Sequence, residues 1–303
     1  MSIDTLTGIS EKKLTETDGF RVRSGSVCSS VPITERLLKT ASLVGKEITC
    51  ISYSPSGKKM SRCLKLSSSA PDDVIVADIG CDHAYLSVFL VLSGKAGHVI
   101  ASDVIEGPLS SARANIIKYG CSDKISAILT DGLSGMEKSG ITDVVICGMG
   151  GDTICSILSS APFLKDIGIR LILQPMTFSD KVCVFLAENG FSIKCERYAL
   201  EKRRPYRIIY AVYSGKKRRI SKEESLFGLV PVLRQDESAY RFFCIKQAEK
   251  LRKKAAGIEI QNMDCSDVIK LEEHARKLAD SPLFWDRICF TSAAAKPVKN
   301  MQT

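Results

Sequence analysis

From Val74 onward the chain alternates short Val- and Ile-rich runs with longer amphipathic stretches. VIVADIG is followed by AYLSVFLVLSG, HVIASD by PLSSARANIIKYG, KISAILTD by LSGMEKSG, TDVVICGMGG by DTICSILSSA, and IRLILQP by SDKVCVFLAENG. The short runs are largely apolar on both faces, as strands are when crossover helices cover both sides of a parallel sheet. FSIKCERYALE and YRIIYAVYSG then succeed each other with no helix between them, which predicts a terminal hairpin and an antiparallel edge. The pattern predicts an α/β fold built on a doubly wound, seven-stranded sheet. In such a sheet ligands are expected in the crevice at the carboxyl ends of the strands.

The flanking segments read differently. Residues 1–59 are rich in Ser, Thr and Lys and weakly periodic, and are expected to form a disordered extension. Within it ITERLLKTASLV (Ile33 to Val44) suits one short amphipathic helix, and SYSPSGKK (Ser52 to Lys59) suits a linker. Residues 60–219 are expected to hold the main domain. Beyond it Cys244, Ala248, Leu251, Ala255 and Ile258 step by four, three, four and three. Val268, Leu271, Ala275 and Leu278 repeat that seam after Asp264 and Ser266, two candidate N-caps. Residues 220–280 therefore predict a projecting, coiled-coil-like helical hairpin, and 281–303 a frayed tail.

Composition removes several classes of function. No apolar run approaches the roughly 18–20 residues of a membrane-spanning helix, and the first residues lack the basic-then-apolar layout of a secretory signal. The twelve cysteines are scattered singly, with no CxxC pair and only three histidines to join them. That spacing predicts a reduced, cytoplasmic protein without a structural metal. The net charge of +9 favours a polyanionic partner, since bound phosphates release their counterions.

Four turns at successive strand ends carry the chemistry. Asp78, Gly80 and Asp82 close the first strand, where a glycine admits a ligand close to the backbone. The dinucleotide fingerprint GxGxxG is incomplete there, which counts against a nicotinamide-dependent oxidoreductase. S-adenosyl-L-methionine (AdoMet) carries no pyrophosphate but has an ammonium group, which a carboxylate such as Asp78 suits. Asp103, with Val104 beside it, ends the second strand, where a carboxylate can accept ribose hydroxyls. Asp131 and Gly132 end the third, in position to border an adenine. Gly148, Met149, Gly150 and Gly151 end the fourth, where the substrate is expected. That fourth turn lacks the [DN]-P-P-[YF] motif of enzymes that methylate exocyclic amines, and a ring nitrogen remains open as acceptor.

Taken together, VADIGCDHAYL, EGPLSSAR, DGL, VVICGMGG and LILQP resemble the bacterial tRNA (adenine-22-N1)-methyltransferase family, over roughly residues 60–280. The resemblance implies a Rossmann-like methyltransferase sheet with a C-terminal helical hairpin, AdoMet as methyl donor, and N1 of an adenine in the D-arm region of tRNA as acceptor. Carried over, Asp78, Gly80, Asp103, Asp131 and Gly132 would line AdoMet. Asp82 and His83 would sit beside the methyl group, and Gly148, Met149 and Gly150 would face the base. The chain departs from the family at Cys81 for Ser, Ser87 for Pro, Asp103 for Glu, and Met176 where Asn often follows LILQP. Expected phosphate contacts are Arg203, Arg204 and Arg207 with Lys202, then Lys216 to Arg219, then Arg252 to Lys254. The alternatives are another AdoMet-dependent RNA methyltransferase, or a non-catalytic RNA-binding protein that keeps the fold. Because MSRCLKLSSSAPDD suits the family's usual start, residues 1–59 are expected to be dispensable and Met60 to serve as an initiator.

Overall fold

The structure, a computed structural model, describes residues 30–53, 61–166, 168–230, 232–261, 263–280, 284–285 and 287–291. Its centre is a seven-stranded sheet in the order β5-β4-β3-β6-β7-β9-β8. The strands are β3 (Ile75–Ile79), β4 (His98–Asp103), β5 (Ile125–Leu129), β6 (Asp143–Gly150), β7 (Arg170–Thr177), β8 (Phe191–Glu201) and β9 (Arg204–Tyr213). β3 to β7 pair in parallel, and β9 runs antiparallel to both β7 and β8. The doubly wound sheet and its terminal hairpin are thus as the alternation of runs implied. The chain order reverses between β3 and β6, and the crevice beyond their carboxyl ends is the topological switch point.

Alternation along the strands sorts the core into two layers. Val76 joins a cluster with Val88, Leu109 and Ala112, under α2 (Tyr85–Leu92) and α3 (Glu106–Lys118). Ala77 and Ile79 point the other way, into a cluster with Ile154, Leu158, Val182 and Leu186. Those four belong to α4 (Gly151–Ser159) and α5 (Ser179–Glu188).

The expectation of a disordered extension is overturned for its described part. The predicted helix is present as α1 (Glu35–Ala41), and β1 (Lys46–Tyr53) occupies part of the expected linker. Val31, Ala41, Leu43, Val44 and Ile48 are buried in the same core layer as α2 and α3. The segment reads as polar because its apolar residues cluster on one stripe while its polar ones have partners in distant strands. Lys39 Nζ lies 2.8 Å from Asp236 Oδ1 and 2.6 Å from the Tyr198 carbonyl oxygen, and the Gly45 amide donates to Asp143 Oδ1 at 3.1 Å. Residues 1–29 and 54–59 of the expected extension lie outside the described residues.

The C-terminal hairpin exists, with shifted bounds. Within residues 220–236, α6 (Lys222–Phe227), the short strand β10 (Val232–Leu233) and a 3-10 turn (Arg234–Asp236) precede the hairpin. The antiparallel-seam helices are α7 (Glu237–Ile260) and α8 (Ser266–Asp280). Ala248, Leu271 and Ala275 are buried between them with Leu251 and Leu278 alongside, so the seam packs as its spacing predicted. Asp264 accepts bonds from the Ser266 amide and hydroxyl just before α8. The hairpin does not simply project: Tyr240, Phe243 and Cys244, in the first half of α7, pack with Tyr198 of β8. In the expected tail, β11 (Phe284–Trp285) pairs with β10 and β12 (Arg287–Thr291) with β2 (Ser61–Ser68). Backbone pairing, which a polar composition does not reveal, gives these residues a place. No helix among the described residues is long and apolar enough to cross a membrane.

Candidate active site

A cavity of about 560 Å³ opens at the switch point, within the usual range of small-molecule sites. Asp78, Gly80, Asp82, His83, Asp103, Val104, Asp131, Gly132, Gly148 and Met149 all line it, so the turns of four strands converge as their order in the sequence implied. Gly150 and Gly151 do not reach the lining; they join β6 to α4. A Cβ on Gly151 would fall 2.4 Å from the Phe178 carbonyl oxygen, so this glycine serves close packing between neighbouring turns.

The first turn is shaped by its backbone. Gly80 has φ 70°, a left-handed conformation that favours glycine, and the end of the Met149 side chain fills the space beside it. Asp82 and Ala84 also have positive φ, 50° and 56°. Asp is among the few residues that adopt this conformation readily. Asp82 does not cap α2, whose N-cap is Ala84 with no side-chain cap bond. Its carboxylate is free to face the cavity, and its side chain is 69% exposed. The Asp82 amide donates to Asp103 Oδ2 at 3.3 Å, and the Ile105 amide to Asp103 Oδ1 at 3.0 Å. Those bonds fix the Asp103 carboxylate at the end of β4. His83 Nε2 lies 3.7 Å from Asp82 Oδ1, and the His83 carbonyl accepts from Asn115 Nδ2 at 3.0 Å.

Asp78 is the buried member, 3% exposed. Burial raises its pKa from 3.8 to about 6, against the hydrogen bond from Ser87 Oγ at 2.6 Å. The neighbouring thiols are held protonated: burial, then Asp78 and Asp103, push Cys81 far up, and burial pushes Cys147 up to about 12. Neither is a nucleophile at neutral pH.

The opposite wall comes from parts of the chain that sequence spacing did not connect to the site. Arg36 and Leu37 of α1 line the cavity. Arg36 Nη1 donates to Gln174 Oε1, which also accepts from the Gly148 amide at 3.1 Å. The Arg36 guanidinium lies 5.3 Å from the Tyr206 ring centre, and its amide donates to Glu201 Oε1 at 2.7 Å. Gln174 is fully buried and gives its amide NH₂ to the Pro175 carbonyl, with Met176 Sδ at 3.6 Å. The only signal for this wall was the amphipathic run ITERLLKTASLV together with the Q-P pair in LILQP. Ser102, Pro108, Thr130, Thr153, Ser156 and Ile157 are also part of the lining.

Of the expected phosphate contacts, Arg203 and Arg204 are exposed and border a second groove. Arg207 is corrected: it is 1% exposed and forms a buried ion pair with Glu196. Its Nη1 donates to the Ser225 carbonyl at 2.7 Å. A guanidinium whose donors are spent inside the protein cannot meet a phosphate.

The arrangement fits a nucleoside-bearing ligand with an ammonium at one end. A buried carboxylate, a glycine cradle, a half-buried carboxylate at the next strand end and an orphaned buried Ser102 hydroxyl surround one cavity. A methyltransferase-domain family model matches residues 60–209. The chain is 32% identical over 154 residues to the tRNA (adenine(22)-N(1))-methyltransferase of Bacillus subtilis, spanning 50% of this chain and 65% of that one, just under two thirds. A crystal structure of a candidate tRNA (m1A22) methyltransferase from Streptococcus pneumoniae, bound to AdoMet, superposes with a TM-score of 0.63 and 28% identity. It covers 80% of this chain and 99% of that one. A Streptococcus agalactiae protein of the NADB-Rossmann superfamily superposes equally well, at 0.63 and 27% identity over 80% of this chain and 97% of its own.

The fold is the Rossmann-like sheet of class I methyltransferases, and residues 60–209 are similar to a methyltransferase domain. The proteins the chain resembles include tRNA (adenine(22)-N(1))-methyltransferases.

Proposed function

We propose that the protein transfers a methyl group from AdoMet to N1 of an adenine in tRNA, at position 22 of the D-arm region. The observation that carries this is the single cavity lined together by Asp78, Asp82, Asp103, Asp131 and the Gly148-Met149 turn. Bound AdoMet supplies an electrophilic methyl group. In this reading Asp78 holds its ammonium, Asp103 its ribose hydroxyls, and the Asp131-Gly132 turn borders its adenine.

Adenine N1 carries a free lone pair, so no base has to remove a proton before transfer, and the product is a cation. The protein's part is in-line positioning and negative potential where positive charge develops. Asp82 serves that role: its carboxylate is not consumed by capping, and its backbone is tied to Asp103. His83 shapes the same rim. The Gly148 turn, anchored through Gln174 to Arg36, forms the wall against which the base is held. The target base has to leave its stack to enter, at a cost of a few kcal/mol, and basic residues outside the cavity offset that through phosphate contacts.

Asp82→Asn tests the assignment, because Asn keeps the shape and tolerates the left-handed backbone while removing the charge. The expected result is a fall in kcat on tRNA of about 10²-fold with AdoMet affinity by calorimetry nearly unchanged. Full activity in that variant would sink the role. Mass-spectrometric mapping of the modified nucleotide decides the position; methylation elsewhere than adenine 22 would replace the target.

A further inference from the structure

Phe178 is a large aromatic residue in an expensive place. It sits between β7 and α5 with φ 51°, a conformation bulky residues avoid, and its side chain is 53% exposed. Strain in an exposed apolar residue returns nothing through burial. Its position is nevertheless firmly set: Thr177 pairs with Gly150, and the Phe178 carbonyl packs directly on Gly151. The Phe178 backbone therefore lies against the glycine turn that leads from the candidate active site, and its side chain lines a second groove, with Lys181 Nζ 4.4 Å from the ring centre.

Beyond Phe178 opens a groove of about 820 Å³ between the ends of β7 and β9 and the helices α6, α7 and α8. Arg203, Arg204, Lys222, Lys250 and Lys254 line it, and none of them has an ion-pair partner among the described residues. Lys246 also lines it, paired with Glu249, and the carboxylates there are Asp180 and Asp267. The unpaired cations outnumber the acids: Arg203 and Arg204 stand at the turn between β8 and β9, Lys222 at the start of α6, and Lys250 and Lys254 on α7. An exposed aromatic face leading into a cationic trough is the arrangement that holds single-stranded nucleic acid: a base stacks on the ring and phosphates follow the charges.

We infer that this groove is a docking site for an unpaired stretch of RNA, in which a base flanking the methylated nucleotide stacks on Phe178 and its phosphates run toward Lys250 and Lys254. The inference rests on the proposed reaction for the identity of the RNA as tRNA. It places the strand that leaves the active site against the helical hairpin and gives the strained Phe178 turn a use.

The test uses the full chain and unmodified tRNA. Phe178→Asn keeps a residue that accepts the left-handed backbone and removes the ring. It is expected to raise the KM for tRNA by about 5- to 150-fold, with AdoMet affinity unchanged, and Phe178→Trp is expected to restore wild-type binding. The double change Lys250→Gln with Lys254→Gln is expected to lower the slope of log affinity against log salt by about 1.4. Methylation with wild-type KM in Phe178→Asn and an unchanged salt slope in the double variant would overturn the docking site while leaving the reaction intact. Tight tRNA binding that is lost in Phe178→Asn, from a wild-type protein that transfers no methyl, would support the docking site and remove the reaction.

Discussion

Asp78 shows how one buried group sets a condition on ligand binding. An aspartate in the unfolded chain titrates near 3.9, and in the folded protein burial raises this one to about 6. Above that pH the folded state holds a desolvated carboxylate that the unfolded state keeps in water, so the group destabilises the ligand-free protein. As pH falls from about 6 toward 4 the folded state takes up the proton first, and the penalty disappears. A ligand ammonium reverses the preference, since it favours the ionised form. AdoMet affinity is therefore expected to fall as pH drops through 6, approaching tenfold per unit. Asp78→Asn is expected to raise the unfolding free energy of the ligand-free protein at pH 8 by about 1–3 kcal/mol while weakening AdoMet at least tenfold. Calorimetric titration of the variant decides it, and unaltered affinity would place the ammonium elsewhere. The acidic and glycine positions were legible from the sequence because each closes a βα turn on the same edge of the sheet. The Ser87 bond to Asp78 was not, since only the pitch of α2 brings that hydroxyl to the carboxylate.

Helix α1 carries the largest difference between sequence pattern and folded protein. Seven residues, ERLLKTA, form a helix too short to persist alone. What holds it is its setting: Ala41 in the core, Lys39 between Asp236 and the Tyr198 carbonyl, Arg36 against Gln174 and Tyr206. A chain starting at Met60 loses all of these, leaves Asp236 with one fewer buried cation, and uncovers the wall behind Gly148. Such a chain is expected to be insoluble, or to unfold well below the full chain in a thermal scan and bind tRNA without turnover. A soluble, fully active protein from Met60 would restore the expectation that residues 1–59 are dispensable.

Across the whole molecule, two buried ionic clusters join the helical hairpin and its approach to the sheet. Asp236, at the start of α7, accepts from Arg197 Nε at 2.7 Å and from the Tyr198 amide at 3.0 Å as well as from Lys39. Glu196 pairs with Arg207 and accepts from the Leu229 amide at 3.0 Å, while Arg207 holds the end of α6 through Ser225. Removing one partner of such a pair strands the other charge away from water. Arg207→Met is expected to cost about 3–5 kcal/mol in denaturant unfolding, whereas Arg203→Gln, at the exposed hairpin tip, is expected to leave stability within about 0.5 kcal/mol. Equal stability of the two variants would show that the buried pair does not join the elements as the geometry indicates.

The sequence by itself determined the sheet, its order of turns and the carboxylates that line the cavity, because periodicity and βα succession are local and repeat with every unit. It also determined the seam of α7 and α8, whose spacing is a property of one helix at a time. Tertiary structure alone decided that α1 belongs to the site, that Arg207 is an internal ion pair, and that Phe178 stands at the mouth of a basic groove. Each of those depends on partners from other segments: Arg36 and Gln174 are 138 residues apart. Whether a charge faces water or a buried counter-charge is settled by what the fold brings to it, and no local pattern of residues carries that information.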